Sequence, residues 1–189
     1  MAQTEQKNQN VKKQFEELQS LLERAMALQT SMVLFEWDDE TLAPKGAAEH
    51  TARVIGSLSE QYQEILASMR FKELLDACQK AEKENAGGFD EVQSAILREA
   101  AEEQERLSCI PPEEYRAYAE LTARATGIWT RAREKNDFAS FAPVLKEIIS
   151  YQKKFAAYRA KPGQKLYDVM LDTYEKGFNM EMLDPFFEL

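Results

Sequence analysis

The stretch Val11-Lys12-Lys13-Gln14-Phe15-Glu16-Glu17-Leu18-Gln19-Ser20-Leu21-Leu22-Glu23-Arg24-Ala25-Met26-Ala27-Leu28-Gln29-Thr30-Ser31-Met32 decides the fold class. Its apolar side chains fall at Val11, Phe15, Leu18, Leu22, Ala25 and Met32, with polar Gln29 interrupting the series. Steps of three and four residues trace one face of an α-helix. A second stripe at Leu21, Leu28 and Phe35 widens that face toward its C-terminal end. A face this broad fits burial in a bundle better than the narrow seam of a two-stranded coiled coil. The helix is expected to stop near Trp37, where Asp38-Asp39-Glu40-Thr41 and then Pro44 and Gly46 break the period.

The same period runs outward from this stretch. Ile55, Leu58, Tyr62, Ile65 and Leu66 predict a helix over about 46–67, and Phe71, Leu74, Leu75 and Cys78 a shorter one over about 69–83. Asn85-Ala86-Gly87-Gly88 reads as a loop. Phe89 to Leu107 is expected to be helical, its densely charged half from Arg98 to Arg106 lying outermost in solvent. Pro111-Pro112-Glu113-Glu114 opens the next helix, with proline in its first turn and carboxylates at the positive pole of the helix dipole. That helix carries Tyr115, Tyr118, Leu121, Ala125, Ile128, Trp129 and Ala132. Asn136-Asp137 is a stop followed by a new N-cap, and Lys161-Pro162-Gly163 a turn. Leu166 to Tyr174 is a short helix, and Asn179 can cap a last one. No segment alternates with period two, and no Asn-Gly or Asp-Gly hairpin signal occurs. The expectation is an all-α, multi-helix bundle of about seven or eight helices, without a sheet. A flexible polar N-terminus over 1–10 would precede a single helical region over 11–189.

The 189 residues include 33 acidic and 24 basic side chains, for a net charge of −9. That balance disfavours nucleic acid, whose phosphates demand clustered Lys and Arg. No apolar run approaches the roughly 20 residues of a membrane span. Met1 to Asn10 is polar and lacks the apolar core of a secretory signal, so the expected location is cytoplasmic. The lone histidine, His50, excludes any site needing two or three imidazoles. Cys78 and Cys109 stand in no Cys-x-x-Cys spacing and read as reduced packing residues.

The sharpest polar feature is Asp38-Asp39-Glu40 beside Trp37. Three carboxylates in a turn can offer oxygens to a hard cation or act as general acid and base. Adjacent turn residues rarely converge on one ion, however, and Asp38 or Asp39, with Thr41, can equally satisfy turn N–H groups. No Gly-x-Ser-x-Gly elbow, activated cysteine or phosphate-cradling glycine loop is present. The aromatics at Tyr115, Tyr118, Trp129, Phe138 and Phe141 keep helical spacing and read as core. No catalytic, cofactor-binding or metal-ligating residue is assigned from the residues of this chain.

Leu34-Phe35-Glu36-Trp37-Asp38-Asp39-Glu40-Thr41-Leu42-Ala43-Pro44-Lys45-Gly46 nevertheless resembles the opening signature of the carboxypeptidase Taq family of thermostable metallocarboxypeptidases. Further blocks follow in that family's order. They are Ile110-Pro111 with Glu114, then Trp129 to Ala132-Arg133 with Asn136-Asp137-Phe138 and Phe141-Ala142-Pro143. Tyr167-Asp168, Leu171-Asp172, Tyr174-Glu175 and Gly177 close the series. Ala43 and Lys176 depart from the family's usual methionine and proline. The resemblance implies a zinc- or cobalt-dependent peptidase whose metal sits on a His-Glu-x-x-His helix, with the motif's glutamate activating the metal-bound water against a C-terminal peptide bond. That motif matches no position here, so no catalytic residue carries over.

The expectation is therefore an N-terminal, groove-wall or lid region of such an enzyme, truncated before its catalytic part and inactive alone. Its partners would be peptide substrate in the parent, the rest of its own polypeptide through the apolar face at Met182, Leu183, Phe186, Phe187 and Leu189, and a possible second copy. The alternative is a free-standing helical interaction module without catalysis. A third reading, an enzyme using Asp38, Asp39 or Glu40, requires metal binding or peptide cleavage by this chain itself.

Overall fold

The computed structural model describes residues 2–44 and 46–188. Eight helices follow one another: α1 Ala2–Thr41, α2 Ala48–Ala67, α3 Met69–Lys83, α4 Glu91–Ser108, α5 Pro112–Glu134, α6 Phe138–Arg159, α7 Leu166–Tyr174 and α8 Met180–Phe187. No strand occurs among the described residues. The chain forms two compact units, Met1–Arg124 and Ala125–Leu189, with the division inside α5.

The first unit is built on α1, a helix of 40 residues. It buries Val11, Phe15, Leu18 and Ala25, four of the six positions of the stripe read from the sequence, with Leu22 partly buried. The segment 1–10, expected to be a flexible tail, is helical from Ala2 onward, and Met1 lies outside the described residues. Gln, Glu and Lys are good helix formers and extend a helix already nucleated by the packed stripe behind them. Lys7 also reaches Glu84 at 2.7 Å, an exposed pair of small worth. At the other end α1 continues past Trp37 to Thr41, because acidic residues do not interrupt a ladder that Pro44 alone must end.

Against α1 pack α2 and α3, with α4 laid on both. The core joins Phe15 and Leu18 of α1 to Leu66 of α2, Phe71, Leu74 and Cys78 of α3, and Leu97 and Leu107 of α4. Phe15 meets Phe89 edge to face, with centroids 5.3 Å apart. The predicted loop after α3 holds Asn85 and Gly87 at positive φ. Gly87 has a second constraint, since a Cβ there would lie 2.7 Å from the Val11 side chain. Asp90 then starts α4 with a reciprocal capping box to Gln93.

The second half of α4 corrects an expectation. It is not merely a solvated outer face: Ala100 and Leu107 are buried, and the charged residues between them occupy the remaining sides of the helix. Charge density between apolar positions masked a stripe at Leu97, Ala100 and Leu107, which keeps helical spacing.

The second unit carries the C-terminal part of α5 with α6, α7 and α8. Asn136 ends α5 in the left-handed region at φ 50°. The Asp137 N–H donates to the Ala132 carbonyl at 2.8 Å, and its carboxylate accepts from the Ser140 N–H at 3.2 Å to cap α6. Within this unit Phe155, Ala156 and Val169 are buried. Trp129 and Phe138, expected in the core, are 44% and 68% exposed, because the helical period assigns residues to a face without saying whether another element covers it.

Candidate functional site

The acidic cluster Asp38-Asp39-Glu40 occupies the last turn of α1 rather than a loop. Leu42 and Ala43 both donate their N–H to the backbone carbonyl of Asp38, at 2.9 and 2.8 Å. The Thr41 hydroxyl donates to the Trp37 carbonyl at 2.6 Å. The turn is thus satisfied by main-chain oxygens and by Thr41, with Asp38 and Glu40 exposed and Asp39 half-buried. His50 lies exposed near the start of α2. Among the described residues, no three or more His, Cys, Asp or Glu side chains come together as a set able to hold a metal ion. The described residues therefore do not fit a catalytic zinc or cobalt.

Neither cysteine has the setting of a nucleophile. Cys78 is sealed in the core, and burial pushes its thiol up to about 11. Cys109 is partly buried in the turn after α4, its thiol toward the Arg106 carbonyl at 3.6 Å.

The densest polar groups serve to fix helices. Tyr62 of α2 donates to Glu103 of α4 at 3.0 Å, and Arg106 chelates the same carboxylate. Burial, and then the negative charge of Glu103, hold the Tyr62 phenol well above the ordinary tyrosine range. One residue further on, Gln63 is fully buried and donates its amide to the carbonyls of Leu107, at 3.1 Å, and Ile110, at 2.6 Å. It thereby fastens α2 to the turn from which α5 departs. Arg116 of α5 bridges Glu60 of α2 and Glu120 of its own helix. Glu120 lies over Gly56, where a Cβ would collide with its side chain. The spacing of Ile55, Ser59, Tyr62, Gln63 and Leu66 was the available signal for Gln63: a glutamine on a core-facing helical position.

The blocks quoted from the sequence resolve into connections between helices. Arg133 stacks over Trp129, 5.2 Å from the ring centroid. Asn136 and Asp137 make the stop and start described above. On α7, Asp168 accepts the Met180 N–H at 2.9 Å and Asp172 the Gly177 N–H at 2.8 Å. Two carboxylates one helical turn apart thus tie down the linker to α8, with Gly177 supplying its positive φ. On α8 itself Asn179 caps the start, accepting from the Met182 N–H at 3.1 Å, and no residue of the helix is buried. Phe186 and Phe187 are 70% and 78% exposed.

The carboxypeptidase Taq (M32) metallopeptidase family model matches residues 17–189, and the chain belongs to that family. It is similar to "Carboxypeptidase 1" of Bacillus subtilis (strain 168), with 34% identity over 167 residues, 88% of this chain and 32% of that protein. It is likewise similar to "Thermostable carboxypeptidase 1" of Thermus thermophilus, 31% identical over 89% of this chain and 35% of that protein. Among solved structures, "BsuCP Crystal Structure" superposes with a TM-score of 0.87 at 32% identity, over 93% of this chain and 34% of that one. The chain spans about a third of the length of the curated relatives it matches. No helix among the described residues is long and apolar enough to cross a membrane.

Proposed function

We infer that the chain is the N-terminal helical region of a zinc-dependent metallocarboxypeptidase, which removes residues from the C-termini of peptides in the cytoplasm. The observation that carries this reading is the family match over 17–189 in a chain only about a third as long as its relatives. In this reading the metal and the residues that activate water belong to the family's other two-thirds. The helices described here act as wall and lid of the peptide groove, and the apolar face of α8 packs against the rest of the polypeptide. The exposed Met182, Phe186 and Phe187 support that last assignment, since a face of this kind normally finds a partner.

The test is a comparison of two products. The 189-residue chain, incubated with peptide and zinc or cobalt, releases no C-terminal residue by mass spectrometry. The product of the uninterrupted reading frame contains a His-Glu-x-x-His and shortens the peptide stepwise until a chelator is added. A frame that stops at Leu189, or cleavage by the chain itself, overturns the reading.

A further inference from the structure

Beyond Ala25 the outward side of α1 carries Met26, Val33, Leu34 and Trp37, each between 56% and 63% exposed. At 100° per residue these four fall within about a quarter of the helix circumference, and they run for roughly 16 Å. The opposite side of the same segment meets α2, where the Ser59 hydroxyl approaches the Met32 sulfur at 3.0 Å. The face is thus rigidly presented by a paired helix.

Its borders have one sign. On the helical wheel Glu36 and Glu40 flank the stripe on one side and Asp38 on the other. From Ala25 to Pro44 the sequence has four acidic residues and no lysine or arginine. Among the described residues, no salt bridge joins Asp38, Asp39 or Glu40 to a cation. These three carboxylates also sit at the negative pole of a 40-residue helix whose last turn has no basic residue. That placement is unfavourable for the chain alone, since cations belong at a helix C-terminus.

We propose that this face of α1 docks a cationic amphipathic helix, with an aliphatic stripe to lie on Met26, Val33, Leu34 and Trp37 and flanking Lys or Arg side chains to meet Glu36, Asp38 and Glu40. A second copy is a poor occupant, because a two-fold interface here would gather carboxylates from both chains without a basic residue of the segment to offset them. An anionic membrane is disfavoured by the same border. The proposal rests on α1 alone and is independent of the carboxypeptidase reading.

Trp37 reports on the face directly. In a Trp129→Phe background, with folding checked by circular dichroism, the chain is titrated with a synthetic helical peptide bearing a leucine stripe flanked by lysines. The expected result is a saturable blue shift of Trp37 emission. Three rim pairs of ordinary surface strength make Kd roughly tenfold weaker in Glu36→Gln/Asp38→Asn/Glu40→Gln or at high salt. Binding is lost in Val33→Ser/Leu34→Ser, whose positions are exposed and whose folding is unaffected. An equal response to a glutamate-flanked peptide, no response to either peptide, or a blue shift that grows with chain concentration in the absence of peptide overturns it.

Discussion

Replacing Gln63 with glutamate exchanges a buried donor for a buried acceptor of nearly the same shape. The native amide gives both its hydrogens to carbonyls, Leu107 at 3.1 Å and Ile110 at 2.6 Å, while its Oε1 has no hydrogen-bond partner. An ionised carboxylate in that position would face two carbonyl oxygens with nothing to donate. The folded protein therefore holds the new carboxyl protonated, with its pKa raised by roughly 3 units, as for other fully buried carboxyls. In the unfolded chain it titrates near the usual ~4.3. The sign follows: above that value the unfolded state sheds a proton that the folded state keeps, so stability falls as pH rises. The slope is about 1.4 kcal/mol per pH unit until the folded pKa is passed, for a total near 4 kcal/mol by neutral pH. That is a large fraction of the 5–15 kcal/mol typical of a whole domain. Urea unfolding followed by circular dichroism between pH 5 and pH 8, with the wild-type curve subtracted, measures it. Gln63→Met serves as control, costing about 1–3 kcal/mol with no pH dependence, because it strands the Ile110 carbonyl but introduces no charge. A Gln63→Glu deficit that is flat with pH, or smaller at pH 7 than that of Gln63→Met, would refute the reasoning.

Leu18 is fully buried where α1 meets the core, so Leu18→Ala should lower stability by about 2–5 kcal/mol in urea unfolding. Asp90→Ala removes the capping box of α4 and should cost about 1 kcal/mol, with a smaller loss for Asp90→Gly. With its thiol sealed in the core and pushed up to about 11, Cys78 should resist an aromatic disulfide reagent at pH 8 until denaturant is added, while Cys109 reacts first. A native chain that titrates two equivalent thiols would contradict the burial of Cys78.

The helices themselves were legible because most carry a local signal: periodic apolar residues, and in several a capping side chain or a proline or glycine at an end. Asp137 and Asn179 cap where their residue type and position indicated. Local rules of this kind act over three or four residues, within reach of a single chain segment. The composition likewise fixed what this chain lacks, since one histidine cannot make a two-imidazole site wherever it is placed.

Which faces are covered is another matter, because covering depends on residues distant in sequence. The periods of α4 and α5 look alike on paper, yet Leu107 is buried and Trp129 is not. Gln63 became a clamp only when α2 was brought against the α4–α5 turn, 44 and 47 residues away along the chain. Asp168 and Asp172 gained their meaning only when the linker to α8 folded back over α7. Met26, Val33, Leu34 and Trp37 are apolar in sequence like the buried stripe beside them, yet stand exposed in three dimensions. A sequence sets the hydrophobic pattern and hydrogen-bonding capacity of each segment by its own chemistry. Tertiary structure alone decides which of those capacities meet a partner, since burial is a property of pairs of surfaces rather than of either one.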